Sequence, residues 1–140
     1  MPHQPLNIKI DKLTQSIEDA ISGVHLETEV LNLQSIDILK LKKKDWIFNW
    51  KKESEKTENH IYKLVLINNS DIIQGLISLQ DRHDHVFISL IESSKINRGS
   101  QKIYLGVPGN LVAFACKYVV WKKIWRLCFL WKQNAINTTL

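Results

Sequence analysis

Two adjoining stretches decide the fold: Val86-Phe-Ile-Ser-Leu-Ile-Glu92 and, after a loop, Tyr104-Leu-Gly-Val-Pro-Gly-Asn-Leu-Val-Ala-Phe-Ala-Cys-Lys-Tyr118. The first stretch alternates and is rich in β-branched and aromatic residues, which is typical of a strand. In the second, Asn110 can cap a helix that starts at Leu111, because its side-chain oxygen can accept from the free N–H groups of the first turn. Together they predict a strand, a loop, a glycine-containing turn and a helix.

The start of this predicted helix is a candidate anion site. Backbone N–H groups in the first turn of a helix lack partners, and the helix dipole is positive there. Gly106 and Gly109 have no side chains to keep a phosphate away from the backbone. The sequence therefore indicates a ligand that carries phosphate.

Charge is distributed unevenly along the chain. All fourteen acidic residues lie at or before Glu92, whereas residues 93–140 contain eight Lys or Arg and no acid. The excess of positive charge in the C-terminal third is therefore what gives the whole chain its net charge of +5. An anionic partner would be attracted to it, whether a nucleotide cofactor, a nucleic acid or a membrane surface.

Length and composition favour one globular domain, 1–140. A chain of 140 residues can bury one core, and 44% apolar with 24% charged residues is ordinary for a globular protein. Cys116 and Cys128 both lie in apolar helical context, which favours reduced thiols, and Cys116 is predicted to be a buried thiol rather than a nucleophile. With no signal peptide expected at the N-terminus, we expect a cytoplasmic protein.

Hydrophobic periodicity predicts an α+β fold in which a meander of antiparallel strands precedes the long helix. The segment Asp45–Trp50 has three aromatic residues, which could line a substrate cleft or pack onto the sheet. The charged segment Lys51–Asn59 is predicted to be a surface loop. The predicted strands are Asn7–Leu13, Thr28–Leu33, Ile61–Ile67, Gln74–Leu79 and Val86–Glu92, and the shorter predicted helices are Thr14–Ile21 and Ile36–Lys42, the latter capped by Ser35.

This order of strands, glycine turn and helix resembles the GNAT superfamily, the acyl-CoA-dependent N-acetyltransferases. The runs Gln74-Gly-Leu-Ile-Ser-Leu79 and Gly106-Val-Pro-Gly-Asn-Leu-Val-Ala-Phe-Ala-Cys-Lys117 look like a little-characterised bacterial subgroup of it. The part of the chain up to residue 118 is family-like. In the family's turn, Gln/Arg-x-x-Gly-x-Gly/Ala, Gly109 matches the central glycine, whereas Gly106 and Leu111 depart from the pattern.

The resemblance implies a mixed, mainly antiparallel twisted sheet with flanking helices. It also implies binding of acetyl-CoA and transfer of its acetyl group to a primary amine. Glu92 would be the catalytic base that takes a proton from the attacking ammonium, with a structural carboxylate as the alternative. The backbone of Leu90, Ile91 and Glu92 would pair with the pantetheine arm. The turn that would hold the pyrophosphate comprises Gly106, Val107, Pro108, Gly109, Asn110 and Leu111.

The resemblance ends after Tyr118. Residues 119–140 form a basic segment with three of the five tryptophans, and the C-terminal strands of the family are expected to be missing or replaced. The segment is compatible with a helix that continues to Trp131 and uses its apolar stripe for the core, a dimer or a membrane interface. Lost strands would expose a sheet edge and favour a homo-oligomer.

Two alternative functions follow from this divergent C-terminal segment. One is a GNAT-derived binding or oligomerisation domain without catalysis, and the other is a basic module for nucleic acid or membranes. A metal site is not predicted. His83 and His85 would share a face on a strand, as metal ligands do, but they lie in a polar segment typical of a turn and have no third ligand cluster nearby.

Overall fold

The computed structural model describes residues 16–122 and 127–129. The helices are α1 Ser35–Lys40, α2 Trp50–Ser54 and α3 Val107–Lys122, with 3-10 turns at Lys43–Asp45 and Lys95–Asn97. The strands are β1 Ser16–Asp19, β2 His25–Asn32, β3 Asn59–Leu66, β4 Asn69–Arg82, β5 His85–Ser93, β6 Tyr104–Leu105 and β7 Leu127–Phe129. Within the described residues they form one sheet in the order β6-β1-β2-β3-β4-β5-β7.

Every neighbouring pair in this sheet is antiparallel except β5 and β7, which run parallel. The α+β class and the mainly antiparallel sheet are therefore confirmed. Parallel pairing of β5 and β7 requires the chain to cross over between them, and α3 is that crossover. The meander β3–β4–β5 is the central part of the sheet, as the alternation of its residues predicted.

Side chains of successive strand residues point to opposite faces of the sheet, so both faces carry apolar residues. A helix packs on each face. α3 packs on one face, where Leu111, Phe114 and Tyr118 join Ile77 and Leu79 of β4 in the larger core cluster. The other face carries a smaller cluster under α2, which comprises Trp50, Ile61, Leu76 and Leu90 with Trp46 and Phe48 packed against it. The aromatic residues of segment 45–50 therefore pack onto the sheet.

The N-terminal part of the fold differs from the prediction. The predicted helix Thr14–Ile21 is wrong in its described residues, because Ser16–Asp19 is strand β1 and pairs with β2 and β6. Ile17 faces the core and is almost fully buried, so tertiary contacts outweigh the helical spacing of apolar residues. The predicted strand Asn7–Leu13 lies outside the described residues.

The short helices also differ in detail from the prediction. α1 begins at Ser35 with Gln34 rather than Ser35 as its N-cap, and Asp37 completes a capping box with it. The predicted surface loop Lys51–Asn59 contains most of α2. Asn49 caps α2, because its side-chain oxygen accepts from Lys52 N at 3.0 Å.

α3 begins four residues earlier than predicted, at Val107. Gly106 has a φ of 95°, a conformation that glycine adopts without strain and that turns the chain into the helix. Pro108 is tolerated in the first turn because no hydrogen bond is needed from its nitrogen there. Asn110 therefore lies inside the helix and does not cap it.

The C-terminal segment is not one long helix. α3 ends at Lys122 and a short strand, β7, follows it, so at least one strand replaces those expected to be lost. The remainder of segment 119–140, residues 123–126 and 130–140, lies outside the described residues. Among the described helices, none combines the length and the apolar character needed to cross a membrane.

The end of α3 that is remote from Gly106 is held by a polar cluster. Tyr118 Oη donates to Asp81 Oδ2 at 3.2 Å, and Lys122 Nζ lies 3.2 Å from the same oxygen. Burial, assisted by Tyr62 and Asp81, raises the pKa of Tyr118, so its hydroxyl stays protonated and continues to donate. This tyrosine is a structural contact at the far end of the helix, and Cys116 beside it is exposed rather than buried as predicted.

Close packing of α3 on β4 depends on Gly75. A Cβ atom at this position would lie 2.7 Å from Val107 Cγ1, 3.0 Å from Leu111 Cδ1 and 3.2 Å from the carbonyl oxygen of Glu92. We expect Gly75→Ala to lower the free energy of unfolding by about 1–3 kcal/mol, because the start of the helix must move off the sheet.

Urea denaturation measures this change, and Gly109→Ala is the matched control. A Cβ atom at Gly109 meets nothing within 4 Å, so that variant should be as stable as the wild type or about 0.4–1 kcal/mol more stable. Equal stability of Gly75→Ala and the wild type would contradict the packing described here.

Candidate ligand site at the end of strand β5

Within the described residues, the outer edge of β5 is only partly paired. β7 pairs with β5 at Val86, Phe87 and Ile88, and the last described pair is Ile88–Phe129. From Leu90 to Ser93 the opposite edge of β5 is paired with β4, but no described strand pairs with the outer edge from Ser89 onward. Unpaired N–H and C=O groups of such an edge can bind an extended ligand.

A β-bulge in β5 follows its last described pair with β7. Ser78 of β4 is opposite Leu90 and Leu79 is opposite Ile88, so Ser89 is the extra residue on β5. A bulge bends its strand and increases the local twist. The bulge is therefore located next to the last described pair of the two parallel strands.

The open edge of β5 leads toward the start of α3. Gly75, directly opposite Ser93 in the ladder, contacts the region of Val107 and Leu111, so the last residue of β5 lies beneath the first turn of the helix. Directly opposed residues share one face of a sheet, so the Ser93 side chain also faces α3. Its buried Oγ has no hydrogen-bond partner among the described residues.

Three backbone amides at the start of α3 have no acceptor among the described contacts. Asn110 N donates to Gly106 O at 3.0 Å, Leu111 N is used by the i to i−4 pattern, and Pro108 has no N–H. This leaves the amides of Gly106, Val107 and Gly109, of which those of Val107 and Gly109 belong to the first turn of the helix. The positions of a Cβ atom at Gly106 and Gly109 are open space, so the residues present fit a phosphate at this helix start.

Asn110 connects the helix to the sheet instead of facing a ligand. Its Nδ2 donates to Ser16 O at 2.7 Å and to Gly106 O at 3.1 Å, and its Oδ1 accepts from Thr28 Oγ1 at 3.0 Å. The side chain is buried and satisfied by these bonds. Of the turn predicted to hold the pyrophosphate, Gly106, Val107 and Gly109 have amides without an acceptor among the described contacts.

The Glu92 carboxylate is the centre of a hydrogen-bond network. It has no exposed surface, and its Oε1 accepts from Trp50 Nε1 at 2.8 Å and from Phe48 N at 3.2 Å. Its Oε2 accepts from Ile47 N and from Arg98 Nη1, the latter at 2.9 Å. A base needs a lone pair that the substrate can reach. These contacts favour an anchoring role for Glu92, and its assignment as a base stays a prediction.

Arg98 completes the network from the loop between β5 and β6. Besides its contact with Glu92, its Nη2 donates to Asp45 O at 3.0 Å. The guanidinium therefore connects the end of β5 to the 3-10 turn that precedes α2. Asn97 holds the same loop against β4, since its Nδ2 donates to Gln74 Oε1 at 2.8 Å.

Glu53 of α2 is a second buried carboxylate near β5. It is 7% exposed, and its Oε2 accepts from Ser89 Oγ at 2.6 Å. No described residue donates to its Oε1. Glu53 thus lies at the bulge of β5, next to the last described pair of β5 with β7.

Sequence reasoning missed Glu53, Ser89 and Arg98 as site residues. The cap at Asn49 followed by Trp50 and Glu53, three residues apart, could have indicated a short helix that presents both side chains to the sheet. Nothing comparable marks Arg98, because its partners are remote in the sequence. The sequence-predicted residues Leu90, Ile91 and Glu92 do lie on the open part of β5, and Gly106 to Leu111 lie at its end.

His83 and His85 do not belong to a group of metal-ligating side chains among the described residues. His85 Nδ1 lies 2.6 Å from Asp84 Oδ1, which is an exposed neighbour in sequence. The described part of the chain contains no group of three or more His, Cys, Asp or Glu side chains that could hold a metal ion.

Comparisons with known proteins extend to the fold alone. No protein-family model matches the chain, and no curated protein matches it. The crystal structure of a transcriptional regulator from Bacillus halodurans C-125 is similar, with a TM-score of 0.57 over 79% of this chain and 86% of that chain. The two sequences are 10% identical, so this likeness concerns the course of the backbone.

The network around Glu92 predicts a large effect of Arg98→Met, which keeps most of the apolar contact and removes the guanidinium. Glu92 would then be a buried charge without its cation, and we expect a loss of about 3–5 kcal/mol of unfolding free energy in chemical denaturation. Lys95→Met, at an exposed position of the same loop, should change stability by less than about 0.5 kcal/mol. Similar stabilities of the two variants would contradict the anchoring role.

Proposed function

We propose that the chain is a GNAT-like domain that binds a coenzyme A thioester, with acetyl-CoA as the expected donor, and transfers its acyl group to a primary amine. The observation that carries the proposal is the outer edge of β5 from the bulge at Ser89 to the start of α3, which no described strand covers. A ligand with an amide-containing arm and a diphosphate at one end matches this arrangement. The amides of the arm can pair with strand edge groups.

The two ends of this edge differ in the ligand groups that they suit. At the α3 end, the amides of Val107 and Gly109 can donate to phosphate oxygens, and the helix dipole favours their negative charge. At the bulge end, the β5–β7 ladder closes the edge, so the arm would end at Ser89. The absence of acids from residues 93–140 removes charge repulsion between an anionic ligand and this part of the chain.

The thioester, when bound, supplies an activated acyl group, and the chain would position it and receive a proton from the amine. Without that proton transfer an ammonium has no lone pair with which to attack. The backbone edge of β5 orients the arm, and the buried network of Glu92 and Arg98 keeps the strand end in place. The base would be Glu92, as predicted, or a carboxylate that accepts fewer hydrogen bonds than Glu92 does.

A domain that binds a ligand without catalysis is the second candidate. It is favoured by the fourfold occupation of the Glu92 carboxylate and by the similar fold of a protein named as a transcriptional regulator. In this case coenzyme A or a related anion would act as a signal. Binding without turnover across a broad amine panel would select this candidate.

Isothermal titration with acetyl-CoA and release of free thiol in the presence of amines test the proposal together. We expect saturable binding and thiol release that depends on both substrates. Binding with no thiol release would leave the non-catalytic candidate, and no binding at millimolar acetyl-CoA would overturn both. Retention on anionic vesicles or DNA that is lost with salt would instead support the basic binding module.

Gly109→Asp separates ligand binding from folding at the helix start. A carboxylate in the first turn of α3 is favourable for the helix dipole, so the folded protein should be at least as stable as the wild type. The same charge repels phosphate, and we expect acetyl-CoA affinity to fall at least about tenfold, which corresponds to about 1.4 kcal/mol.

Gly109→Asn is the control of equal size without the charge, and its affinity should lie close to that of the wild type. Titration calorimetry gives the affinities and thermal unfolding gives the stabilities. Unchanged affinity in Gly109→Asp would place the phosphates elsewhere on the molecule.

A further inference from the structure

Among the described residues, one buried carboxylate, that of Glu53, lies outside the network around Glu92. Glu53 lies at the bulge of β5, where the ligand arm of the proposed function would end. We propose that Glu53, and not Glu92, accepts the proton of the attacking amine, and that Ser89 is the positioning residue that orients its carboxylate. This inference rests on the proposed function.

The position of Glu53 along β5 is the first argument. A diphosphate at the start of α3 would lie above Ser93, and the arm would follow the open edge back toward Ser89. This span of four residues is about 13 Å at the usual rise of a strand. Beyond Ser89, pairing with β7 closes the edge, so the reactive end of the arm would lie beside the residue that holds Glu53.

The hydrogen bonding of the two carboxylates is the second argument. Glu92 accepts from four donors and has no exposed surface, so an amine would have to break the network to reach it. Glu53 accepts from Ser89 Oγ through Oε2 and has an Oε1 without a donor among the described residues. No charged side chain of the described residues pairs with it, so its negative charge is available to an ammonium.

The helix α2 makes this division of roles possible. Trp50 and Glu53 are three residues apart and therefore lie on one face of α2. Trp50 Nε1 is bonded to Glu92, and Glu53 is bonded to Ser89, so the same short helix is held at two points of β5. The first contact fixes the helix, and the second presents at the bulge a carboxylate with one oxygen to which no described residue donates.

The proton and electron balance of the step is simple. Oε1 of Glu53 takes one proton from the ammonium, and the amine nitrogen then attacks the thioester carbonyl carbon with its lone pair. A C–N bond forms, the C–S bond breaks, and the sulfur leaves with the bonding pair. The sulfur receives the second nitrogen proton as the amide forms, and Glu53 returns its proton to solvent.

The test compares Glu53→Gln with two other Glu→Gln variants in the full chain. Gln at position 53 can still accept from Ser89 Oγ, so folding and acetyl-CoA binding should be kept, while kcat should fall at least about 100-fold because the base is lost. Glu55→Gln, at an exposed position just after the same helix, should match the wild type. Glu92→Gln should lower the free energy of unfolding. The folded fraction of this variant should show the same pH dependence of kcat as the wild type.

Two further measurements separate a catalytic role of Glu53 from a structural one. The acidic limb of the pH profile of kcat should disappear in Glu53→Gln and persist in Glu53→Asp, which keeps the carboxylate but withdraws it from the bulge. In calorimetry on the protein saturated with coenzyme A thiol, which cannot react, the best amine acceptor should bind at least tenfold more weakly to Glu53→Gln. Ser89→Ala should lower kcat less than Glu53→Gln and leave the KM for acetyl-CoA unchanged.

Each outcome decides between the hypotheses. If Glu53→Gln turns over within threefold of the wild type, the role of Glu53 is overturned and the acyltransferase remains. If Glu92→Gln alone loses turnover while its fold and acetyl-CoA binding are intact, the base is Glu92. If the wild type binds acetyl-CoA but acylates no amine, the proposed transfer step is wrong, and with it the role of Glu53 as its base. If Glu53→Gln does not fold, Glu53→Asp takes its place, and a wild-type kcat in that variant would overturn the inference.

Discussion

The buried carboxylate of Glu92 is the interaction on which the rest of the site depends. It joins backbone N–H groups of residues 47 and 48, the indole of Trp50 and the guanidinium of Arg98, which come from two different connections of the sheet. A buried charge of this kind is tolerated only because each oxygen is satisfied and a cation is present. The network fastens the segment before α2, and the loop after β5, to the same strand end.

The network around Glu92 determines how the neighbouring helices lie at the end of β5. α2 has only five residues and would not form alone, but the contacts of Trp50 and Glu53 with β5 hold it on the sheet. On the opposite face, α3 can approach closely because Gly75 has no side chain. β5 is therefore held from both faces, and no described strand covers its outer edge from Ser89 to Ser93. An edge of this kind can bind an extended ligand.

The sequence predicts the central sheet well, since the apolar alternation of β3, β4 and β5 corresponds to two buried faces. It fails where distant contacts decide: β1 is a strand because it lies between β2 and β6, and Asn110 lies inside α3 and bonds to β1 and β2 instead of capping the helix. Arg98 and Glu53 could not be found as site residues from local pattern. Their partners are up to 53 residues away in sequence, and no periodicity relates them.

The central claim is that a coenzyme A thioester lies along the outer edge of β5 with its diphosphate at the start of α3. Amide chemical shifts in a 15N-labelled protein titrated with coenzyme A test it most directly, because the relevant groups are backbone N–H groups. The account predicts saturable shifts at Val107 and Gly109 and along residues 89–93, with little change at the remote end of α3 near Tyr118. No saturable shift along β5 and at the start of α3, or shifts confined to another surface, would contradict it.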